Sequence, residues 1–365
     1  MSGAAPKSGG TSRILVLGAY GLIGSGIVRH LRASGYTVSG LGRNKATAQR
    51  VLPELDWIVR DMAEMRSPND WSALLRGCDT VVNCAGALQD GPRDQLQTIH
   101  ADAVAALAKA CANNSVRLVQ ISAAGVSPNA STAFFRTKAA GDAAIRAAGG
   151  HFTILRPGLV IAPTAYGGTA LLRMLAAFPL VQPIAYADTP VRTVSLSDLS
   201  EAVAMAVRGE LGSGETIDLV EERPHRLGTI VAGLRHWLGF PKARMQIAVP
   251  PMTTKLISRG ADALGFLGWR SPLRTTAMDV MQDGVDGDPA RWRALTGQPL
   301  SSFAETLAAM PGRSEDRIAA LISLAMPLAV IALFFLWAAS GLVGFWRVEA
   351  ASGVLTAGGW PAGLA

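Results

Sequence analysis

The sequence predicts an α/β protein with a doubly wound parallel sheet, a smaller C-terminal lobe and a C-terminal transmembrane helix. Three features lead to this prediction. Short apolar runs alternate with helical patterns from residue 13 to residue 155, a glycine-rich loop joins the first run to the first helical pattern, and residues 318–346 contain no charged side chain. Alternation of strands and helices at this spacing is typical of a parallel sheet covered by helices on both faces.

The predicted strands are short and rich in branched residues, as expected of strands buried on both faces. They cover residues 14–17, 37–41, 57–59, 80–82, 118–121 and 152–155. The first intervening helix places Ile27 and Leu31 on one face and ends before Gly35. A longer helix is predicted from Leu96 onward, and the polar pair that begins at Asn113 ends it.

After residue 157 the alternation becomes less regular, because prolines and glycines interrupt the chain. Helices are predicted near residues 197–207 and 227–238 and a strand over residues 216–220, and residues 251–310 are predicted to be irregular and helical. The predicted division of the chain is a disordered tail without a signal peptide (1–12), an α/β domain (13–160), a second lobe partly interwoven with its sheet (161–312), the transmembrane helix (318–346) and an apolar tail (347–365).

Composition excludes several classes of function. The net charge of +7 lies entirely in residues 1–250, where 25 Lys and Arg stand against 18 Asp and Glu, a difference of seven. A phosphate-rich ligand and an anionic membrane surface would both suit this excess. The basic residues are scattered, so nucleic-acid binding is not expected. Three cysteines without metal-ligand spacing predict neither a disulfide framework nor a metal site.

The glycine-rich loop has the spacing G-x-x-G-x-x-G and lies between a predicted strand and a predicted helix. Glycines there permit a tight turn and a close approach of the backbone to a pyrophosphate, which the helix N-terminus then binds. The alternative is a purely structural turn. The loop predicts a Rossmann-type domain that binds a nicotinamide dinucleotide, with contacts from Gly18, Tyr20, Gly21, Leu22, Ile23 and Gly24.

The end of the second strand favours NADP over NAD, although NAD stays possible. A carboxylate at this position would bind the ribose hydroxyls of NAD. Instead the chain has Arg43 at the turn, with Lys45 nearby. A cation can bind a 2′-phosphate there. The alternative for Arg43 is a solvated loop side chain.

These features resemble the short-chain dehydrogenase/reductase superfamily, in its extended or atypical branch, over about residues 12–300. The glycine spacing matches, Asp61 follows the third strand, Asn83-Cys84-Ala85-Gly86 follows the fourth, and Arg156-Pro157-Gly158 follows the sixth. The resemblance implies a second set of cofactor contacts. They are Asp61, Met62, Cys84, Ala85, Gly86, Ser122, Lys138, Pro157 and Gly158.

The catalytic motif of the family is only partly present. Family members use Y-x-x-x-K, in which Tyr exchanges a proton with the substrate and Lys holds the nicotinamide ribose. Here Lys138 matches, but Phe134 stands at the Tyr position and has no ionisable proton. Ser122 near the end of the fifth strand faces the cofactor or else serves as a backbone partner. The candidate catalytic residues are therefore Lys138, Ser122 and, as a displaced acid, Tyr166; His100 is expected to be structural or solvated.

Residues 318–346 predict a membrane span, because a bilayer core needs about 20 helical residues. A buried core helix is the alternative, and Pro327 is expected to kink or delay the helix. Arg313 and Arg317 precede the span and Arg347 follows it, which favours a cytoplasmic N-terminal domain. The span and the residues beyond it resemble the beginning of a DoxX-like membrane module.

Two hypotheses about function stay open at the level of sequence. One is a membrane-anchored NAD(P)H-dependent oxidoreductase that acts on an apolar substrate such as a quinone or a lipid. The other is a non-catalytic NADP-binding membrane protein with a structural or sensing role. Loss of Tyr from the motif resembles the nucleotide-binding accessory subunit of respiratory complex I and its bacterial relatives, which implies tight NADP binding. No protein partner is predicted from the sequence.

Overall fold

The computed structural model describes residues 12–88, 90–91, 95–266, 273–359 and 361. Within them the strands are β1 Arg13–Leu17, β2 Thr37–Gly42, β3 Asp56–Val59, β4 Thr80–Asn83, β5 Arg117–Ile121, β6 Phe152–Pro157, β7 Leu159–Ile161, β8 Val181–Ile184, β9 Pro190–Val191, β10 Thr193–Ser195, β11 Glu215–Leu219, β12 His225–Arg226 and β13 Met245–Ala248. Seven of these form one parallel sheet in the order β11-β6-β5-β4-β1-β2-β3. This order confirms the predicted doubly wound sheet.

The helices of the described residues cover the sheet and build the second lobe. They are α1 Leu22–Ala33, α2 Lys45–Val51, α3 Pro68–Leu75, α4 Ala103–Asn113, α5 Ala133–Ala148, α6 Gly168–Ala176, α7 Leu196–Arg208, α8 Leu227–Trp237, α9 Pro251–Phe266, α10 Thr275–Asp283, α11 Ala290–Thr296, α12 Phe303–Ala309, α13 Ser314–Trp346 and α14 Val348–Ala357. All six predicted strands of the first domain are present, each longer than predicted by one or two residues.

The core lies on both faces of the sheet, as the apolar strands predict. In β1, Ile14 and Val16 join the cluster under α1 and α7, while Leu15 and Leu17 join the cluster under α3 and α4. All four side chains are buried. Successive side chains of a strand point to opposite faces, so a strand covered on both sides must be apolar throughout.

The long helix predicted from Leu96 contains an irregular segment. Thr98–Asp102 forms a π-helix before α4 begins. A Cβ atom on Gly141 of α5 would lie 2.0 Å from the carbonyl oxygen of His100, so α5 contacts the backbone of this segment. Wider turns of this kind occur frequently at functional sites.

The second lobe has its own core and also extends the sheet. A buried cluster joins α6, α8 and α12, with Leu172, Leu234 and Phe303 among its members. The chain then contributes β11 to the edge of the main sheet, where it pairs with β6. The prolines and glycines of this region separate short two-stranded pairs, β7 with β10, β8 with β13 and β9 with β12. The domain boundaries stay predictions; residues 1–11 of the predicted N-terminal tail lie outside the described residues.

Helix α13 is long and apolar enough to cross a bilayer, and only 6% of its most apolar window is buried. It runs through Pro327 without interruption, so the proline does not delay its start. Its first turns are attached to the second lobe. The Arg173 guanidinium donates to the carbonyl oxygens of Ala162 and Pro163 and to Asp316 Oδ1 at 3.1 Å, and it lies over the Trp237 ring.

Candidate functional site

The glycine loop approaches the backbone after β4 so closely that side chains are excluded. Gly18 has a φ of +68°, and a Cβ atom on it would lie 2.9 Å from Ala85 Cα. A Cβ atom on Gly24 would lie 2.3 Å from the Gly18 carbonyl oxygen. The Gly18 N–H donates to the Leu41 carbonyl at 2.9 Å, which fixes the turn above the sheet. At both positions a side chain would clash with neighbouring backbone atoms. Glycine is therefore required for steric reasons as well as for its backbone freedom.

The N-terminus of α1 has the features of an anion-binding site. Gly21 is the N-cap and supplies no side-chain cap, and the first turn contains no acidic residue. The free N–H groups and the positive end of the helix dipole suit a phosphate. Leu22 and Ile23 form the first turn of this helix. This end of the cleft fits the pyrophosphate of a dinucleotide.

The predicted adenosine contacts come together at the carboxyl ends of β2 and β3. A Cβ atom on Gly42 would lie 2.3 Å from Tyr20 Cε1, so the Tyr20 ring covers the end of β2. Arg43 Nη1 lies 3.9 Å from Asp61 Oδ2, with both side chains about one-third exposed. Asp61 also accepts from the Ala63 N–H at 3.0 Å and so caps the short helix that begins at the buried Met62. Arg43 therefore lies near a carboxylate as well as at the end of β2, where a ligand would bind. Its position favours neither NADP nor NAD.

The other end of the cleft is formed by β5 and α5. Lys138 Nζ is buried, donates to the Ile121 carbonyl at 3.1 Å and lies 5.6 Å from the centroid of the Phe134 ring. Burial lowers the pKa of Lys138 to about 8, although the nearby Asp142 carboxylate opposes this shift. At neutral pH Lys138 is therefore mostly charged and presents N–H donors to a ligand.

Ser122 follows Ile121 at the same strand end. Its hydroxyl is buried and has no hydrogen-bond partner among the described residues. Its backbone N–H donates to Leu155, so the side chain is not needed for the sheet. A buried hydroxyl without a partner costs about 1–3 kcal/mol. A ligand ribose or carbonyl oxygen placed here would supply the missing partner for Ser122.

His100 has a structural role that the sequence left open. Its Nε2 accepts from the Ala87 N–H at 3.1 Å, and its Nδ1 lies 3.0 Å from Thr137 Oγ1. Burial and the Lys138 charge lower the pKa of this imidazole to about 2, so it is neutral. It holds the segment after β4, including Gly86, against α5. His100 and Thr137 are 37 residues apart, and no spacing rule pairs them.

Two further charged residues support Lys138. Asp142 lies one turn after it on α5 and is buried. Arg156 donates to Asp142 Oδ2 from Nε at 3.0 Å and from Nη2 at 2.8 Å. Lys138 and Asp142 are four residues apart, a spacing that places two side chains next to each other on one face of a helix. Their proximity could therefore have been predicted from the sequence. The Lys138 charge therefore sits beside a buried ion pair.

The remaining predicted residues surround these groups. Burial raises the pKa of the Cys84 thiol to about 12, so it is protonated beside the glycine loop. The Pro157 carbonyl accepts from Ala124, and a Cβ atom on Gly158 would lie 2.5 Å from the Arg192 carbonyl oxygen. Pro157 and Gly158 thus join the β5 end of the cleft to the second lobe.

Tyr166 is not brought to Lys138 by the described hydrogen bonds. It is 71% exposed in the loop before α6, and its backbone N–H donates to Thr169 Oγ1. The loop is nevertheless fixed to the base of α13, because Arg173 binds both the Pro163 carbonyl and Asp316. Any role for Tyr166 in proton transfer requires a substrate or a loop movement to bring the two groups together.

A shallow depression with a mixed lining opens between the loop after β5 and the end of α10. Gly125, Ser127, Ser131, Asp283 and Asp286 lie along it, with Phe135 at its floor. Ser131 Oγ donates to Asp283, which connects the start of α5 to α10. The end of helix α10 therefore borders this depression beside the start of α5.

Comparison with known proteins agrees with this geometry. Residues 18–173 match the family model described as NAD(P)H-binding. A relative in Neurospora crassa, the mitochondrial NADH-ubiquinone oxidoreductase 40 kDa subunit, is 26% identical over 207 residues. That alignment covers 56% of this chain and 54% of the relative, so the chain spans about half the length of the curated relative that it matches.

Solved structures share the fold at low identity. The Bordetella bronchiseptica enzyme WbmG, in complex with NAD and UDP, has a TM-score of 0.62 at 16% identity over 87% of this chain and 96% of its own. The dTDP-glucose 4,6-dehydratase of Bacillus anthracis, in complex with NAD, has a TM-score of 0.60 at 12% identity over 85% and 96%. DesIV of Streptomyces venezuelae, a dTDP-glucose 4,6-dehydratase with NAD bound, has a TM-score of 0.58 at 21% identity over 82% and 95%.

The fold is that of a Rossmann protein, and the part that carries the glycine loop is similar to a family described as NAD(P)H-binding. More particularly, the chain resembles the extended short-chain dehydrogenases/reductases in fold and the complex I 40 kDa subunit in sequence, which confirms the resemblance predicted from the motifs. The preference for NADP and the DoxX-like character of the C-terminal segment stay predictions.

Proposed function

We propose that this protein is an NAD(P)H-dependent oxidoreductase, anchored in a membrane by α13, that reduces an apolar acceptor such as a quinone or a lipid carbonyl. The observation that carries the proposal is the buried pair at the end of β5. Ser122 Oγ has no partner among the described residues, and Lys138 Nζ donates to the carbonyl of Ile121, the residue before Ser122. A bound ribose or an acceptor oxygen would supply the partner that this hydroxyl lacks.

Each end of the cleft has a separate task in this proposal. The glycine loop and the start of α1 bind the pyrophosphate, and Arg43 binds the adenosine ribose or its 2′-phosphate. Lys138 and Ser122 hold the nicotinamide ribose and the acceptor oxygen. Bound NAD(P)H would supply a hydride. Because Phe134 has no proton to give, the acceptor oxygen takes its proton from water or from Tyr166.

The position of α13 supports an apolar acceptor. Its uncharged surface is exposed to the surroundings, and Arg173 fixes its first turns beside the loop that carries Tyr166. The loop that carries Tyr166 therefore lies near the place where the chain would enter a bilayer. A molecule dissolved in the membrane would have a short path to this loop.

The test uses the full chain purified in detergent. Its bound nucleotide is identified, and the absorbance of the reduced nicotinamide is then followed while short-chain quinones and apolar ketones are added. We expect oxidation at a catalytic rate, a large loss of rate in Lys138→Met and Ser122→Ala, and no loss in the control Lys109→Met, which changes an exposed lysine of α4. Tyr166→Phe decides between the tyrosine and water as the proton source.

A second function is favoured by one specific observation. Phe134 places an aromatic ring 5.6 Å from Lys138 Nζ and 5.7 Å from the His100 ring, where a hydroxyl would be needed for proton transfer. This packing suits a non-catalytic protein that binds NADP for stability or sensing. Tight binding of NADPH, a rise in the unfolding temperature with its concentration and no oxidation with any acceptor would establish this alternative.

A further inference from the structure

Among the α9 residues whose side chains the structure describes, three large apolar ones are exposed and two small polar ones are buried. Met252 and Leu256 are 85% and 74% exposed, and Ile257 is exposed as well, whereas Thr254 and Ser258 are buried against the protein. A helix on a water-facing surface shows the opposite arrangement. The outer side of α9 is therefore suited to an apolar environment.

Further exposed apolar side chains lie on the segment that leads into α9 and on its neighbour in the sheet. Strand β13, which leads into α9, is exposed along its length, and the Arg244 N–H donates to the Leu180 carbonyl at 2.8 Å. This contact brings the exposed Leu180 next to β13. We call the resulting surface the α9 face; its apolar members are Leu180, Met245, Ile247, Met252, Leu256 and Ile257. Exposed apolar patches of this kind mark interaction sites.

The segment that carries the α9 face is mostly basic, and the neighbouring Asp262 of α9 pairs with Arg274 at 3.0 Å. Residues 241–261 contain four basic residues and no acidic one. Lys242, Arg244, Lys255 and Arg259 are all exposed. Apolar side chains flanked by lysines and arginines are the pattern of a surface that lies in the headgroup region of an anionic bilayer.

The α9 face is connected to the membrane helix through one layer of packing. Helix α9 contacts α10, and Met278 and Met281 of α10 share a cluster with Leu324 of α13. Leu324 lies inside the uncharged segment that would enter the bilayer. This continuity favours lipid as the occupant over a second copy of the chain or another protein.

We infer that the α9 face lies in the headgroup region of the same bilayer that α13 spans. The inference rests on the membrane anchoring in the proposed function and adds a second contact to it. With two contacts, the second lobe cannot rotate freely about α13. The side of the molecule that carries α9 and α10 then stays at the lipid surface, close to where an apolar substrate is dissolved.

The test places nitroxide spin labels on single cysteines in the full chain, reconstituted in nanodiscs of phosphatidylcholine and phosphatidylglycerol. The variants are Leu256→Cys on the α9 face, Leu333→Cys in α13 and Val59→Cys at the distant end of β3. The native Cys78, Cys84 and Cys111 are buried or half-buried, so unsubstituted protein treated with the same reagent gives the background. Collision rates with oxygen and with a water-soluble nickel complex report the depth of each label.

We expect the oxygen-to-nickel ratio at Leu256→Cys to be several-fold higher than at Val59→Cys and lower than at Leu333→Cys. A ratio at Leu256→Cys equal to that at Val59→Cys, with Leu333→Cys in lipid, overturns the inference and leaves the anchoring intact. An aqueous label at Leu333→Cys overturns the anchoring itself. Spin–spin broadening at Leu256→Cys between two copies also overturns the inference, because a second chain would then cover the face.

Discussion

The two ends of the dinucleotide cleft are built from different parts of the chain. At the phosphate end the essential features are backbone features, since Gly18 and Gly24 act through the side chains that they lack. At the nicotinamide end the features are individual side chains, Ser122, Lys138 and Phe134, held by α5 and β5. We therefore expect the first end to supply most of the cofactor affinity, with a smaller contribution from the second.

The largest effect is expected from a substitution that adds a methyl group at the phosphate end of the cleft. In Gly24→Ala the new methyl group would lie 2.3 Å from the Gly18 carbonyl oxygen, so the loop must move away from the pyrophosphate. We expect dinucleotide affinity to fall by about 1,000-fold, which corresponds to about 4 kcal/mol. Calorimetric titration with NADPH measures this change. Gly168→Ala is the matched control because its site is open, and an unchanged affinity in Gly24→Ala would remove the loop from the cofactor site.

The nicotinamide end is tested by restoring a hydroxyl. Phe134→Tyr places a phenol near Lys138, whose charge favours the phenolate, and a positioned general acid contributes about 100-fold or more to a rate. We expect ketone reduction to rise by about this factor and NADPH affinity to change little. Stopped-flow measurement of the reduced nicotinamide gives the rate. Phe134→Leu removes the ring without adding a proton, and an equal gain in that variant would show that steric relief is the cause.

A smaller effect sharpens the assignment of the adenosine pocket. If Arg43 binds the 2′-phosphate, Arg43→Ala should lower the NADPH/NADH affinity ratio by about tenfold or more, since a hydrogen bond to a charged group is worth about 1.5–3 kcal/mol. Titration with each nucleotide gives the ratio. Lys45→Ala changes a neighbouring exposed cation and should leave the ratio unchanged. An unaltered ratio in Arg43→Ala would exclude the arginine from binding the 2′-phosphate.

The smallest effect is a pH dependence of binding at the nicotinamide end. Lys138 has a pKa lowered to about 8, and the anionic ligand favours its charged form. Affinity is therefore fully present below pH 8 and falls as the pH rises through 8 and Lys138 loses its proton. A neutral donor in place of a charged one costs about 1 kcal/mol, or about fivefold. Lys138→Arg does not titrate in this range and should show a flat profile; parallel profiles in the two proteins would exclude Lys138.

The sequence predicted the sheet better than the site, and the reason is the range of the interactions. Branched apolar runs report local burial, so every strand of the first domain was found. The contact between His100 and Thr137 and the pair formed by Asp142 and Arg156 join distant segments, and local patterns do not reveal them. Tyr166 was selected from four tyrosines because it follows Gly158 by eight residues, and such a short separation along the chain does not fix where a loop side chain lies.

The α9 face shows the same limit in a different form. Helical spacing in residues 251–266 identifies two sides of a helix but does not say which side is buried. In a water-soluble protein the apolar side would be assigned to the interior. Here Thr254 and Ser258 face inward, and only the packing of α10 against α9 and α13 makes this clear. Which side of a helix such as α9 is buried therefore has to be taken from the tertiary structure.

The guanidinium of Arg173 has a mechanical consequence. It is buried, its donors are shared between the second lobe and Asp316, and removal of one partner from a buried ion pair costs about 3–5 kcal/mol. The base of α13 therefore keeps a fixed orientation relative to the second lobe. A helix that tilts to match a thinner bilayer transmits its tilt through this contact. In the proposed membrane-anchored protein, the loop that carries Tyr166 would then move when the thickness of the membrane changes.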